Sequence, residues 1–207
     1  MLFRSYSSTK HATRPRIHVF ISTSKEHREK KLKKTKQKIL NDIREYVSYA
    51  KNKCNDIEFS CEDATRTEMP FLIECFKEAI ESGATTINVP DTVGYTHPEE
   101  FACIIKSIVN SLKEKIEKYN VTISVHCHND LGMAVANSLA SVKVGATQIE
   151  CTVNGIGERT GNTSLEEVVM ALETRKDYFN ARTNIQTKNL FETSQIVSIL
   201  TNVDVPI

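Results

Sequence analysis

Five times along this chain a short apolar stretch gives way to a longer amphipathic one. The apolar stretches are RIHVFIS (16–22), DIEFSC (56–61), TINVP (86–90), VTISVHC (121–127) and QIECTV (148–153). Their spacing of roughly 30 residues is the size of one strand-plus-helix unit. The stretches between them predict helices over Lys25–Lys53, Phe71–Glu81, Pro98–Tyr119 and Met133–Val144, and a last one from Ser164. In Lys25–Lys53 the apolar residues Leu32, Ile39, Leu40, Ile43, Tyr46, Val47 and Ala50 recur at three- and four-residue spacings, which lines one helix face. Gly83 and Gly145 close two of the helices, Pro98 opens one, and Thr163 with Glu166 predicts a capping box. Strict alternation of strand and helix calls for parallel strands joined by helical crossovers. That pattern predicts an α/β fold and leaves two architectures open, a doubly wound sheet or five consecutive units of a (β/α)8 barrel. Both place their chemistry beyond the C-terminal ends of the strands, where the polar residues of this chain gather.

Composition narrows the function classes. The 207 residues carry a formal net charge of +1, so no global field draws nucleic acid or a membrane surface. The lysines between Lys25 and Lys38 lack interleaved aromatics for base stacking and read as a solvated helix face. No apolar run approaches the roughly 20 residues of a membrane span. Cys54, Cys61, Cys75, Cys103, Cys127 and Cys151 form no CxxC and read as reduced thiols, with a cytoplasmic setting. The first sixteen residues carry Arg4, Lys10, Arg14 and Arg16 but no acid. That is the composition of an organellar transit peptide, or of an unstructured or non-native start.

SVHCHNDLG (124–132) carries the sharpest local chemistry. His126 and His128 are two apart in a strand and so point to one side. Neutral imidazoles at that spacing fill two neighbouring positions on a divalent cation, which needs further ligands and an open position for substrate. Asn162, Glu62, Asp63 and Asp91 are candidates for the rest, whereas Asp130 reads as a helix cap. The loop GIGERTGN (155–162) holds Gly155, Gly157 and Gly161 around Arg159. It is either a tight strand-to-helix turn or a cradle for an anion. His18 shares a face with Phe20 and Ser22, opposite Ile17, Val19 and Ile21.

Together, RIHVFISTS, IEFSCEDATRT, TTINVPDTVGYT, ISVHCHNDLGMAVANSLA and NGIGERTGNTSLEEVVMAL resemble the 2-isopropylmalate synthases from Pro15 to Ile207. The resemblance implies a (β/α)8 catalytic barrel in which these five units are strands 4–8. Residues 1–14 then form an unstructured or non-native start, 15–175 the partial barrel, and 176–207 the beginning of a helical segment after it. It implies an acyltransferase of leucine biosynthesis that joins acetyl-CoA to 2-oxoisovalerate in a Claisen-type condensation. A divalent ion (zinc, manganese or magnesium) would assist. Matched motif by motif, His126, His128 and Asn162 correspond to the metal residues. Ser60, Glu62 and Thr92 correspond to the oxo-acid site, with catalytic parts for Glu62, Thr92 and His18. Gly155, Gly157 and Arg159 correspond to the loop on the CoA side.

The family's first strand carries a Leu-Arg-Asp-Gly segment whose aspartate completes the metal site, and no such segment occurs here. The chain is therefore expected to be an incomplete barrel with an internal start, its weak metal site lacking a carboxylate. A separate N-terminal polypeptide would complement it. The resemblance implies a homodimer for full-length members. Two other readings stay open, a catalytically inactive fragment and a citramalate or homocitrate synthase relative.

Overall fold

The computed structural model describes residues 2–205. Five strands, β1 (Arg16–Ser22), β2 (Asp56–Glu62), β3 (Thr86–Asp91), β4 (Thr122–Cys127) and β5 (Gln148–Glu150), form one sheet in the order β1-β2-β3-β4-β5. Every adjacent pair is parallel. A doubly wound sheet reverses its strand order partway across. Here each crossover moves one place in the same direction, which is the winding of a barrel wall. The α/β class holds, and strand order decides between the two architectures that spacing left open.

The crossovers are α2 (Lys36–Lys51), α3 (Met69–Glu81), α4 (Pro98–Tyr119) and α5 (Ala134–Val142). They pack on one face only. Ile17, Val19, Ile57, Phe59, Cys61, Ile87, Val89, Ile123, Val125 and Cys127 alternate along the strands and join a single buried core with Ile43, Val47, Leu72, Phe76 and Ile105. Phe59 and Phe76 meet edge to face, with ring centroids 6.5 Å apart. Burying each such ring contributes about 2–3 kcal/mol.

The other face is polar and open. The register aligns Phe20, Ser60, Asn88, Ser124 and Gln148 in one row, and Pro90, His126 and Glu150 in the next. One alternation thus builds an oily wall outside and, apart from Phe20 and Pro90, rows of hydrogen-bonding groups inside.

Several boundaries differ from expectation. Residues 1–14, expected to be an unstructured or non-native start, carry α1 over Leu2–Thr9. The long helix expected over Lys25–Lys53 is broken. His27–Leu32 form a π-helical turn, Lys33 takes a left-handed φ of 53°, and α2 starts afresh behind Thr35, whose side chain accepts from the Lys38 amide. The cause is Arg28, which is buried and donates to the Thr23 carbonyl and both oxygens of Glu68, each at 2.8 Å. That anchors the first turn to the residue after β1 and to the start of α3, out of line with α2. β5 ends three residues early, because the chain turns at Val153–Gly155.

Ser164, not Thr163, caps α6 (Leu165–Thr174). Thr163 is buried, with its hydroxyl 2.9 Å from that of Ser138. The segment expected after the barrel holds α7 (Lys176–Phe179) and α8 (Leu190–Thr201), and its last two residues lie outside the described ones. The described cysteines are all free thiols.

Candidate active site

Two chain segments meet beyond the end of β4. His128 forms an antiparallel bridge with Asn162, the last residue of the glycine loop. Two backbone bonds stitch the segments, Thr163 N–H to the Cys127 carbonyl at 3.1 Å and Asn129 to Gly161 at 2.9 Å, and a third, Asn162 to Gly155 at 2.9 Å, closes the loop on itself. The loop folds back so tightly that a Cβ on Gly161 would lie 2.1 Å from the Gly155 carbonyl oxygen. On this frame the rings of His126 and His128 sit with centroids 5.0 Å apart.

Two atoms here are buried without a hydrogen-bond partner, Asn162 Oδ1 and His126 Nδ1. The latter lies 3.0 Å from Glu150 Oε2, but in a direction that makes no hydrogen bond. Burial, the neighbouring His126 and the Arg159 guanidinium all lower the His128 pKa and favour the neutral ring. Two imidazoles and an orphaned amide oxygen are a donor set that fits a divalent cation.

The remaining predicted residues fall into two places. Ser60 and His18 lie on the open face of the sheet, where the Ser60 hydroxyl is 2.6 Å from His18 Nε2 and accepts from Asn88 Nδ2 at 2.9 Å. Glu62 and Thr92 follow at the strand ends. Glu62 accepts from Ser22 at 2.5 Å and Lys31 at 2.6 Å. Burial pushes its pKa upward, but these two donors overcome that and hold the carboxyl below its ordinary range. Thr92 Oγ1 accepts from the Asp63 amide at 2.9 Å.

Arg159 forks onto both oxygens of Asp130 at 2.6 and 2.9 Å and reaches the Thr92 carbonyl at 2.8 Å and His128 Nδ1 at 2.7 Å. Asp130 is therefore an arginine partner rather than a cap. Asn129 caps instead, its Oδ1 accepting from the Ala134 amide. Gly155, Gly157 and Arg159 border a cavity of about 720 Å³ that continues to Glu166 and Ser194. Asp91, a candidate metal carboxylate, is spent on Thr96 and Thr65.

Glu58 and Glu150 are the residues that motif reading missed. They line a cavity of about 470 Å³ on the open face, together with Arg16, His126, Gln148 and Asn162. The signal was available: the alternation that pairs His18 with Ser22 also puts Glu58 beside Ser60 and Ser124 beside His126. Burial first, and then Glu150 beside it, push the Glu58 carboxyl from 4.5 up to about 7. The folded chain thus holds a proton there that the unfolded chain has already released. Stability falls as pH rises from about 4.5 to about 7, and no further above that. Glu58→Gln is expected to recover about 1 kcal/mol near pH 8 and nothing near pH 4, read from denaturant titrations at each pH.

A model of one family, described as HMGL-like, matches residues 4–197. The chain belongs to the HMGL-like family. Within that family it is 53% identical over 200 residues to 2-isopropylmalate synthase 1 of Caldanaerobacter subterraneus subsp. tengcongensis, covering 97% of this chain and 50% of that protein. It is 54% identical over 198 residues to the 2-isopropylmalate synthase of Pyrococcus furiosus, covering 95% of this chain and 39% of that protein. The chain thus spans about half or less of the length of these curated relatives, and the resemblance read from its motifs stands.

Among solved structures this HMGL-like fold is similar to an HMG-CoA lyase from Acinetobacter baumannii in complex with coenzyme A and 3-methylmalate. The TM-score is 0.78 at 18% identity, over 100% of this chain and 67% of that one. An HMG-CoA lyase from Pseudomonas aeruginosa gives 0.76 at 16% identity, over 92% and 64%. At such identities the likeness concerns the fold alone.

Proposed function

We propose that this chain carries the metal-holding wall of a 2-isopropylmalate synthase active site. One observation carries the reading. His126, His128 and Asn162 converge through the strand-to-loop bridge, with orphaned atoms on two of them, in a chain about half identical to synthases of that name. In the reaction the methyl carbon of acetyl-CoA, after losing a proton, forms a bond to the ketone carbon of 2-oxoisovalerate. Water then cleaves the thioester C–S bond, releasing CoA as its thiol and leaving a carboxylate. A divalent ion (zinc, manganese or magnesium) held by His126, His128 and Asn162 would supply the Lewis acidity that polarises the ketone.

The chain's own residues supply the rest. Thr92 Oγ1 accepts from Asp63, so its hydrogen is free to donate to the oxo-acid carboxylate. The His18–Ser60 pair presents a hydroxyl and an imidazole to the same face. Glu62, ionised and fixed by Lys31, is placed to position the acetyl group or relay its proton. Gly155, Gly157 and Arg159 face the CoA side.

The sheet edges at β1 and β5 have no neighbouring strand among the described residues. They suit a complementing polypeptide that supplies the rest of the barrel, and the complete protein would be a homodimer. No helix of the described residues is long and apolar enough to cross a membrane, and a cytoplasmic setting goes with the reading. CoA release with a thiol reagent tests it, for this chain with and without a polypeptide covering the remainder of its relatives. Turnover with 2-oxoisovalerate above that with pyruvate or 2-oxoglutarate is the expected result. Preference for either of the other acids makes it a citramalate or homocitrate synthase relative. No release in either arrangement overturns the reading in favour of an inactive fragment.

A further inference from the structure

We infer that His18, Glu58 and Glu150 form a second divalent-cation site, adjoining the group at His126, His128 and Asn162 across the cavity that Glu58 and Glu150 share with His126 and Asn162. It does not rest on the function proposed above. One ligand atom from each of the three residues lies within 4.8 Å of the others, and among the described residues no other such group of His, Cys, Asp and Glu occurs. The three come from β1, β2 and β5, so the sheet itself holds them. His18 and Glu58 are register partners on neighbouring strands, and Glu150 reaches in from the strand beyond β4.

One guanidinium, Arg16, serves the carboxylates Asp56 and Glu58. Arg16 divides itself between Asp56 at 2.9 Å, Glu58 at 3.1 Å and the Gln148 carbonyl at 2.8 Å. Gln148 donates to the second oxygen of Glu58 at 3.0 Å. Glu150 accepts a hydrogen bond from Asn88 Nδ2 at 3.2 Å and has His126 Nδ1 3.0 Å away. A divalent cation seated between the two glutamates would offset both carboxylates at once.

A second observation points to a ligand. Asn88 is 1% exposed, its Nδ2 is bound to Glu150 and to the Ser60 hydroxyl beside His18, and its Oδ1 has no partner. Asn88 thus adjoins the group through Nδ2 while its own buried oxygen is left without a partner, which native interiors rarely allow. Two carboxylates and one imidazole suit a first-row transition ion such as Mn²⁺ or Zn²⁺ better than Mg²⁺, which prefers oxygens and keeps its waters.

Mn²⁺ added to the metal-free chain and followed by electron paramagnetic resonance tests this. Two equivalents are expected on the unsubstituted chain. Glu58→Gln should lose one, and His128→Ala with Asn162→Ala should lose the other. Retention of all bound Mn²⁺ by Glu58→Gln overturns the inference. Retention of all of it by the double variant instead overturns the first site, so the two failures are distinguishable. Should Glu58→Gln fail to fold, electron spin-echo spectra of Mn²⁺ on the double variant take its place. An imidazole-nitrogen coupling that disappears in His18→Gln supports the site, and a coupling unchanged by His18→Gln rejects it.

Discussion

Alanine at position 161 is expected to cost about 4 kcal/mol and to abolish Mn²⁺ uptake at His126, His128 and Asn162. Two penalties add there. Gly161 has a φ of +97°, a conformation that charges any L side chain about 1–2 kcal/mol. The new Cβ would also fall 2.1 Å from the Gly155 carbonyl oxygen, which is backbone and has no rotamer to escape into. The loop must then open, and the bonds it loses are those that hold Asn162 against His128. Gly132→Ala is the matched control. It too has positive φ (+71°), but a Cβ there meets nothing within 4 Å, so only the conformational cost of about 1–2 kcal/mol is expected. Urea titrations give the two stabilities and Mn²⁺ binding gives the consequence. A Gly161→Ala chain as stable as Gly132→Ala would show that the loop does not need its tight return.

The same loop shows what could be read from letters. GIGERTGN was legible as a turn that needs glycine, because spacing carries that much. Which carbonyl forbids a side chain at Gly161 depends on the return path and is set only by the bridge from His128 to Asn162. The strands were legible for a simpler reason: their outward residues are apolar and alternate, so β1 begins and ends where RIHVFIS does. The break at Lys33 leaves only a faint trace in the sequence, the stretch KKTKQK (33–38) that carries no apolar residue between Leu32 and Ile39. What interrupts the helix is the tertiary pull of Arg28 toward Glu68, forty residues away. Motifs pass over Glu58 and Glu150 because neither sits in a distinctive local pattern, although alternation along β2 puts Glu58 on the Ser60 face. They matter through a partner on another strand, and partnership across strands follows from sheet order, which spacing alone left undecided between two architectures.

Asp91→Ala is expected to destabilise the chain by about 3 kcal/mol while leaving Mn²⁺ binding at the histidine pair intact. The carboxylate is fully buried and accepts from the Thr96 amide at 3.1 Å, the Thr96 hydroxyl at 2.6 Å and the Thr65 hydroxyl at 3.1 Å. Truncation strands three donors. Bonds to a charged group contribute about 1.5–3 kcal/mol, and each donor left buried and unpaired adds desolvation cost. The damage should spread along one route. Thr96 accepts from Asn137 on α5, so the loop that presents Thr92 loosens together with that helix. His128 is spared, since the contact it makes with this residue is its own N–H to the Asp91 backbone carbonyl, which alanine retains. Asp91→Asn, which keeps one acceptor and turns the other into a donor, should fall between the two. Metal stoichiometry measured beside urea stability separates a strut from a ligand: lost stability with unchanged stoichiometry marks Asp91 as the anchor of the Thr92 loop, and lost stoichiometry in a chain that is still folded makes it the carboxylate that completes the histidine site.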